Sequence, residues 1–297
     1  MGKLNVSEQV YRALNKWSWS TAKHVLECPA EAFDQRKRPI DKTDAMQLGT
    51  LMHMALLEPQ LIDEHYVVAP EIRKGLGGWT YKGADQTWRL KKEAEAHLTE
   101  TLGDRFKVTE ELMLDIKSRV RGARDLLRTY GSLDLSGRKL AIDAEVAMVG
   151  QIEGCAVKGK ADLLIHDGII DVKTTADIRP TAVGRTAIQR HWLGQVWTYG
   201  ELAKQCGYPI RKYGVIVIQS PKVSGTPMRL SSSRQPRPSW RLMWLSEEAI
   251  AYGESEAKRV WRTVRDCEAT GNWPDYDCNE ITLPRWAKAE VVEEEIF

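Results

Sequence analysis

The sharpest chemical feature of this chain is a pair of blocks, Gly159-Lys160-Ala161-Asp162 and Ile170-Asp171-Val172-Lys173-Thr174-Thr175. The spacing places Asp162 near the middle of one strand and Asp171 just past a hairpin on its neighbour. Adjacent strands run about 4.8 Å apart, so two carboxylates on one face can share a divalent ion. Asp171 and Lys173 are two residues apart and point to the same face of their strand. An ammonium then sits beside two carboxylates. Oxygen ligands suit magnesium or manganese, and such an ion would activate water and steady negative charge on phosphorus. Lys173 would orient that water and stabilise the developing charge. Taken alone, an Asp-x-Lys triplet is more often two turn carboxylates and a solvated lysine, because so short a motif matches by chance.

The elements that must hold these residues are legible in outline. Residues 8–66 read as helical, with Ser20 expected to cap a helix through Ala22, Val25 and Leu26 that Pro29 stops. A second helix over 45–57 repeats apolar residues at helical spacing and ends at Pro59. It carries His53 after Gly49-Thr-Leu-Met; a lone histidine there more often serves the core. Residues 71–88, rich in glycine, read as a mobile loop, and helices are expected over 89–101 and 109–130. The texture changes at Leu140. Short runs over 140–149, 156–165 and 168–173, split by Gly150, Gly154 and Asp167-Gly168, predict a three-stranded meander. A helix over 181–205 sets Gln195 and Tyr199 four apart on one face. A strand over 213–219, a Pro- and Ser-rich loop over 220–240, a strand over 241–245 and a helix over 247–268 complete the core. The expectation is one α/β domain with a mixed sheet, preceded by a helical lobe.

Composition narrows the classes. The 297 residues are 42% hydrophobic, enough for a core, and carry a formal charge of only +2. A strongly basic coat is excluded, so any nucleic-acid site must be a local patch. The longest clean apolar run, 215–218, is far short of a membrane span. The start of the chain lacks a signal-peptide stretch, and Val6 stands where a myristoylation motif wants Ser or Thr. These features predict a soluble, cytoplasmic protein. The five cysteines are odd in number and scattered, with no CxxC pair, so zinc or iron–sulfur sites have little support and reduced thiols are expected. Trp outnumbers Phe by 11 to 3, which by itself decides nothing.

Together the polar residues form an ordered set: Gly-x-x-x-His, then Asp, then Asp-x-Lys, then Gln-x-x-x-Tyr. That order resembles the PD-(D/E)XK nuclease superfamily in its RecB-like branch. Within it, Leu48 to His53 with Leu57-Glu-Pro59, Val67-Val-Ala-Pro-Glu71, Asp171-Val-Lys-Thr-Thr-Ala-Asp-Ile178 and Leu283-Pro-Arg-Trp-Ala-Lys288 resemble the RecE-type (exonuclease VIII) nuclease family. The blocks span nearly the whole chain in the family's order. The resemblance implies a PD-(D/E)XK core, a mixed central sheet flanked by helices, in a single domain over 1–288, with a helical lobe over 8–130 and the core over 140–268. It implies a 5′→3′ exonuclease that degrades one strand from linear double-stranded DNA ends, leaving 3′ tails for strand-annealing recombination in a phage or prophage system. Magnesium would be the cofactor, with manganese as substitute. By the same resemblance His53, Asp162, Asp171 and the Val172 carbonyl are metal ligands, Lys173 is the catalytic lysine, and Gln195 and Tyr199 support the site. Glu145 fits an acidic position near a second metal, and equally a surface strand glutamate. A strand-annealing recombinase partner, a ring-shaped homo-tetramer and a bacterial host cytoplasm follow from the resemblance alone. A structure-specific endonuclease of the same fold and an idle DNA-binding module are the competing classes.

DNA would meet basic residues near the chemistry. Arg179, Arg185 and Arg190 follow the Asp-x-Lys strand. The stretch from Arg211 to Arg241, including Lys222, Arg234 and Arg237, holds seven basic residues and no acid, either a phosphate track or a solvated loop. Trp79, Tyr81 and Trp88 are candidates for stacking on an unpaired base. The acidic tail 289–297, ending in Ile-Phe, is repelled by DNA and reads as a solvated end or as a docking signal for the annealing partner.

Overall fold

The computed structural model describes residues 2–4, 6–38, 43–68, 80–82, 88–90, 106–130, 142–221 and 239–276. The amino-terminal part runs β1 (Gly2–Leu4), α1 (Glu8–Ala13), β2 (Trp17–Ser18), α2 (Trp19–Ala22), a 3₁₀ turn (Lys23–Leu26), α3 (Pro29–Lys37), α4 (Asp44–Leu57) and α5 (Ile62–His65). It continues through β3 (Tyr66–Val68), β4 (Thr80–Lys82), β5 (Trp88–Leu90), β6 (Phe106–Val108) and α6 (Glu110–Tyr130). The remainder is β7 (Asp143–Ile152), β8 (Cys155–Ile165), β9 (Gly168–Thr175), α7 (Pro180–Gln189), α8 (Trp192–Gln205), β10 (Lys212–Gln219), β11 (Trp240–Trp244) and α9 (Glu247–Thr270).

β7, β8 and β9 form the expected antiparallel meander, turning at Glu153-Gly154 and at His166-Asp167. β10 pairs parallel to β9, with α7 and α8 as the crossover, and β11 pairs antiparallel to β10. β1 adds an antiparallel edge on β7, so the order is β1-β7-β8-β9-β10-β11, with β2 lying parallel on the first half of β8. The sheet is mixed, and helices cover both faces. On one face α8, α9, Trp17 and Trp19 pack over Val157, Ala161, Leu164 and Val217. On the other, α4 and α6 cover Leu163, Ile170, Val172 and Ile216. α6 buries Met113, Ile116, Val120, Ala123 and Leu127, alternating steps of three and four that put one stripe on the sheet. Fully burying each of the larger side chains, Met113, Ile116, Val120 and Leu127, contributes about 2 kcal/mol. No helix among the described residues is long and apolar enough to cross a membrane.

Local chemistry departs from the sequence expectation at four places. Ser20 is not a cap: Ser18 flanks α2, and the Ser18 and Ser20 hydroxyls bond each other at 2.9 Å. Pro29 opens α3, in the first turn where its missing N–H costs nothing, and the Cys28 sulfur accepts the Glu31 N–H. Residues 88–90 are a strand paired with β4, so the expected loop 71–88 contains β4 and the expected helix 89–101 begins as β5; residues 91–105 lie outside the described ones. The expected helix 181–205 is two helices, because His191 adopts a left-handed φ of 58° between them.

Candidate active site

The site forms where the sheet parts. β7 and β8 pair through Ala144↔Leu163 and Val146↔Ala161, skipping Glu145 and Asp162 between them. β8 and β9 pair from Ile165↔Gly168 to Leu163↔Ile170 and then separate, one step before Asp162 and Asp171 would meet. Thus Glu145, Asp162 and Asp171 stand at one level on three neighbouring strands. Glu145 has a left-handed φ of 53°, a conformation that non-glycine residues rarely keep without surrounding support. The neighbouring strand β8 changes facing at the same level. Ala161 faces α8 whereas Leu163, two residues on, faces α4, although a regular strand would put both on one side. Where the ladder opens, the Asp162 carboxylate replaces it by accepting the Val172 N–H at 2.6 Å.

Helices bring the other groups in from both faces. α4, capped by the Thr43 hydroxyl, carries His53, whose Nε2 lies 3.1 Å from Asp162 Oδ1 and whose Nδ1 lies 3.3 Å from Glu145 Oε1. From the opposite face α8 presents Gln195. Its Nε2 donates to Asp171 Oδ1 at 3.2 Å and its Oε1 accepts from Lys173 Nζ at 2.9 Å. Lys173 Nζ also lies 2.7 Å from Asp171 Oδ2, closing a three-residue ring. Tyr199, one turn further along α8 on the same face, is buried with its hydroxyl near the Gln195 amide. Tyr199 reaches the sheet because Gly159 on β8 has no side chain; a Cβ there would lie 2.8 Å from the tyrosine ring.

Burial and charge set the protonation states. Burial opposes a charged His53, but Asp162, Glu145 and Asp171 outweigh it and push its pKa up to about 9. Burial likewise disfavours the Asp162 carboxylate, yet His53, Lys173 and the Val172 N–H hold it below the usual carboxylate range. For Asp171 burial wins, helped by the Asp162 charge, and its pKa is pushed up to about 6 against the pull of Lys173. Burial also raises Glu145. Two carboxylates drawn apart beside a lysine make a charged, partly desolvated cleft.

The residues fit a divalent cation. One atom each of His53, Glu145 and Asp162 lie within 4.8 Å of one another, and Glu145 Oε1 is buried without a hydrogen bond. Carboxylate oxygens with one imidazole suit hard or borderline ions of the magnesium and manganese kind. A cleft of about 750 Å³ opens from this cluster, walled by Tyr11, Arg12, His65 and Lys160 among others.

Of the residues singled out from sequence, His53, Glu145, Asp162, Asp171, Val172, Lys173, Gln195 and Tyr199 converge here. Arg185 and Arg190 are exposed on and just after α7, and Arg179 is engaged by Asp177 at 2.5 Å. Lys222, Arg234, Arg237, Trp79, the Leu283–Lys288 block and the tail 289–297 lie outside the described residues. Sequence alone assigns Lys160 no role, yet its ammonium pairs with Glu145 Oε2. Its position two residues before Asp162 on one strand was the available signal. A second arrangement had no sequence signal. Glu256 of α9 accepts the Gly194 N–H at 3.3 Å and meets His191 Nδ1 at 2.7 Å, capping α8 from another helix.

A mixed sheet flanked by helices, with Asp, Asp-x-Lys and Gln-x-x-x-Tyr side chains gathered at its opening, is the fold of a PD-(D/E)XK-like nuclease. The chain belongs to the family described as "PDDEXK-like domain of unknown function (DUF3799)", which matches residues 18–286. Among solved structures it is similar to a "putative exonuclease" from Eubacterium rectale, with a TM-score of 0.55 over 95% of this chain and 96% of that one. At 16% identity this likeness concerns the fold alone. No curated protein matches the chain.

Proposed function

We propose that this protein is a metal-dependent deoxyribonuclease, and specifically a 5′→3′ exonuclease that degrades one strand from linear double-stranded DNA ends to leave 3′ tails for strand annealing. The observation that carries the reading is the meeting of the His53–Glu145–Asp162 cluster with the Asp171–Lys173–Gln195 ring at one break in the sheet. His53, Glu145, Asp162 and Asp171, with the Val172 carbonyl, would hold a magnesium or manganese ion, which when bound supplies water activation and charge neutralisation at the scissile phosphate. Lys173 is locked by Asp171 and Gln195, so its ammonium keeps one position without reorganising as charge develops. It orients the attacking water, whose oxygen bonds to phosphorus as a phosphorus–oxygen bond of the DNA backbone breaks. Tyr199 fixes Gln195, and Gln195 fixes Lys173. Arg179, Arg185 and Arg190 hold backbone phosphates, joined by Lys222, Arg234 and Arg237. An annealing recombinase and a ring of copies of this chain are the partners this role calls for.

The test is the pair Lys173→Ala and Asp162→Asn, assayed for hydrolysis and for Mn²⁺ binding. Both should abolish cleavage with the fold retained by circular dichroism. Only Asp162→Asn should weaken the ion. Near-normal cleavage by either variant overturns the assignment.

A further inference from the structure

In the metal site the oxygens are already apportioned. Asp162 Oδ2 accepts the Val172 N–H, Asp171 Oδ1 accepts from Gln195, and Asp171 Oδ2 faces Lys173. Glu145 Oε2 is paired with Lys160, while Glu145 Oε1 and Asp162 Oδ1 converge on His53. Of these oxygens, only Glu145 Oε1 and Asp162 Oδ1 have no amide, ammonium or backbone N–H partner, and they would share one ion with His53; Asp171 would reach that ion through the second lone pair of an oxygen it already commits. A second divalent ion, which two-metal phosphodiester chemistry would place a few ångströms away, would need the Glu145 oxygen that Lys160 covers.

The placement of Lys160 follows from the backbone. Ala161 faces α8, so Lys160 points to the opposite side of β8, the side from which α4 delivers His53. Its cross-strand partner is Ala147, two residues beyond Glu145 on β7. The Glu145 carboxylate, on a residue with a left-handed φ, meets both the lysine and the histidine. Lys160 also lines the cleft that leads to the cluster. Charge points the same way. Three carboxylates against the ammoniums of Lys160 and Lys173 leave one negative charge. One divalent ion with a neutral His53 reverses it to one positive, which matches the single negative charge that the phosphodiester gains once the attacking water has given up a proton. Two ions would leave an excess of three.

We infer that Lys160 takes the place of a second metal ion: its fixed ammonium supplies the second cation of a one-metal site and holds Glu145 to a single free oxygen. The inference rests on the metal-nuclease reading above. It is tested by titrating the wild type, Lys160→Ala, Lys160→Arg and Asp162→Asn with Mn²⁺ alone by calorimetry. Turnover of a labelled linear duplex is measured in parallel across Mn²⁺ concentration. The wild type should take one ion per chain. Lys160→Ala should take a second ion, show a steeper Mn²⁺ dependence, and lose about a hundredfold in kcat with little change in KM. Lys160→Arg, which keeps the charge and guards against a folding artefact, should keep the one-ion stoichiometry and most of the rate. Two ions in the wild type, or a Lys160→Ala protein unchanged in both stoichiometry and kcat, overturns the inference. Ion binding undiminished in Asp162→Asn would instead overturn the metal-site reading. One ion in the wild type and two in Lys160→Ala uphold the role of Lys160 even if no DNA is cut.

Discussion

Asp171→Asn should stabilise the metal-free protein while destroying its activity. The side chain is 2% exposed, and its pKa is pushed up to about 6 from 3.8, chiefly by burial and by Asp162. A carboxyl whose folded pKa is raised adds stability that is fully present below its unfolded pKa and is lost as pH rises through the folded one. At 1.36 kcal/mol per unit, the ionised group costs the fold about 3 kcal/mol at pH 7.5. The amide removes that cost but sets an N–H against either Lys173 or Gln195, forfeiting one hydrogen bond of about 1 kcal/mol. The net gain is about 2 kcal/mol, roughly 3 °C in midpoint for a chain of this size. Thermal melts in EDTA at pH 7.5 and pH 4.5 give the comparison. At the lower pH the folded wild type holds the proton itself, so the advantage should shrink to about zero. A variant no more stable than wild type at pH 7.5, or a gap that does not close at pH 4.5, refutes the electrostatic account. Mn²⁺ should erase the advantage by stabilising the wild type alone.

Two further outcomes follow from the same geometry. Gly194→Ala would set a Cβ 2.3 Å from the fully buried Trp19 ring and 2.7 Å from Glu256 Oε2, so urea midpoints should fall by the equivalent of about 1–3 kcal/mol. Neutralising Arg179, Arg185 and Arg190 together should raise KM for DNA and flatten its salt dependence by about one unit per lost phosphate contact; an unchanged slope would place the phosphate track elsewhere.

The strands were legible because Gly150, Gly154 and Asp167-Gly168 punctuate apolar runs, and the observed β7, β8 and β9 match the expected ranges within a few residues. The candidate site was legible through the spacing of Asp171 and Lys173 on one strand and of Gln195 and Tyr199 on one helix, which the structure brings together. What failed were features decided by distant contacts. Pro29 punctuates a helix boundary in either direction, and only the Cys28 cap shows that it opens one. The break at His191 depends on Glu256 and on the Trp19 indole, which donates to the His191 carbonyl at 3.0 Å. No local pattern signals either. Glu145 was ambiguous for a similar reason. On its own, a glutamate in a strand reads as a surface residue, and only its contacts with His53 and Lys160 from other elements show that it faces the site.

The central claim is that this cleft hydrolyses DNA from ends. Its most direct test is digestion of 5′-labelled and 3′-labelled linear duplexes beside a covalently closed circle, with magnesium and with EDTA. The account predicts magnesium-dependent release of the 5′ label as mononucleotide, late release of the 3′ label, and an intact circle. Cutting of the closed circle, or loss of the 3′ label first, would contradict it.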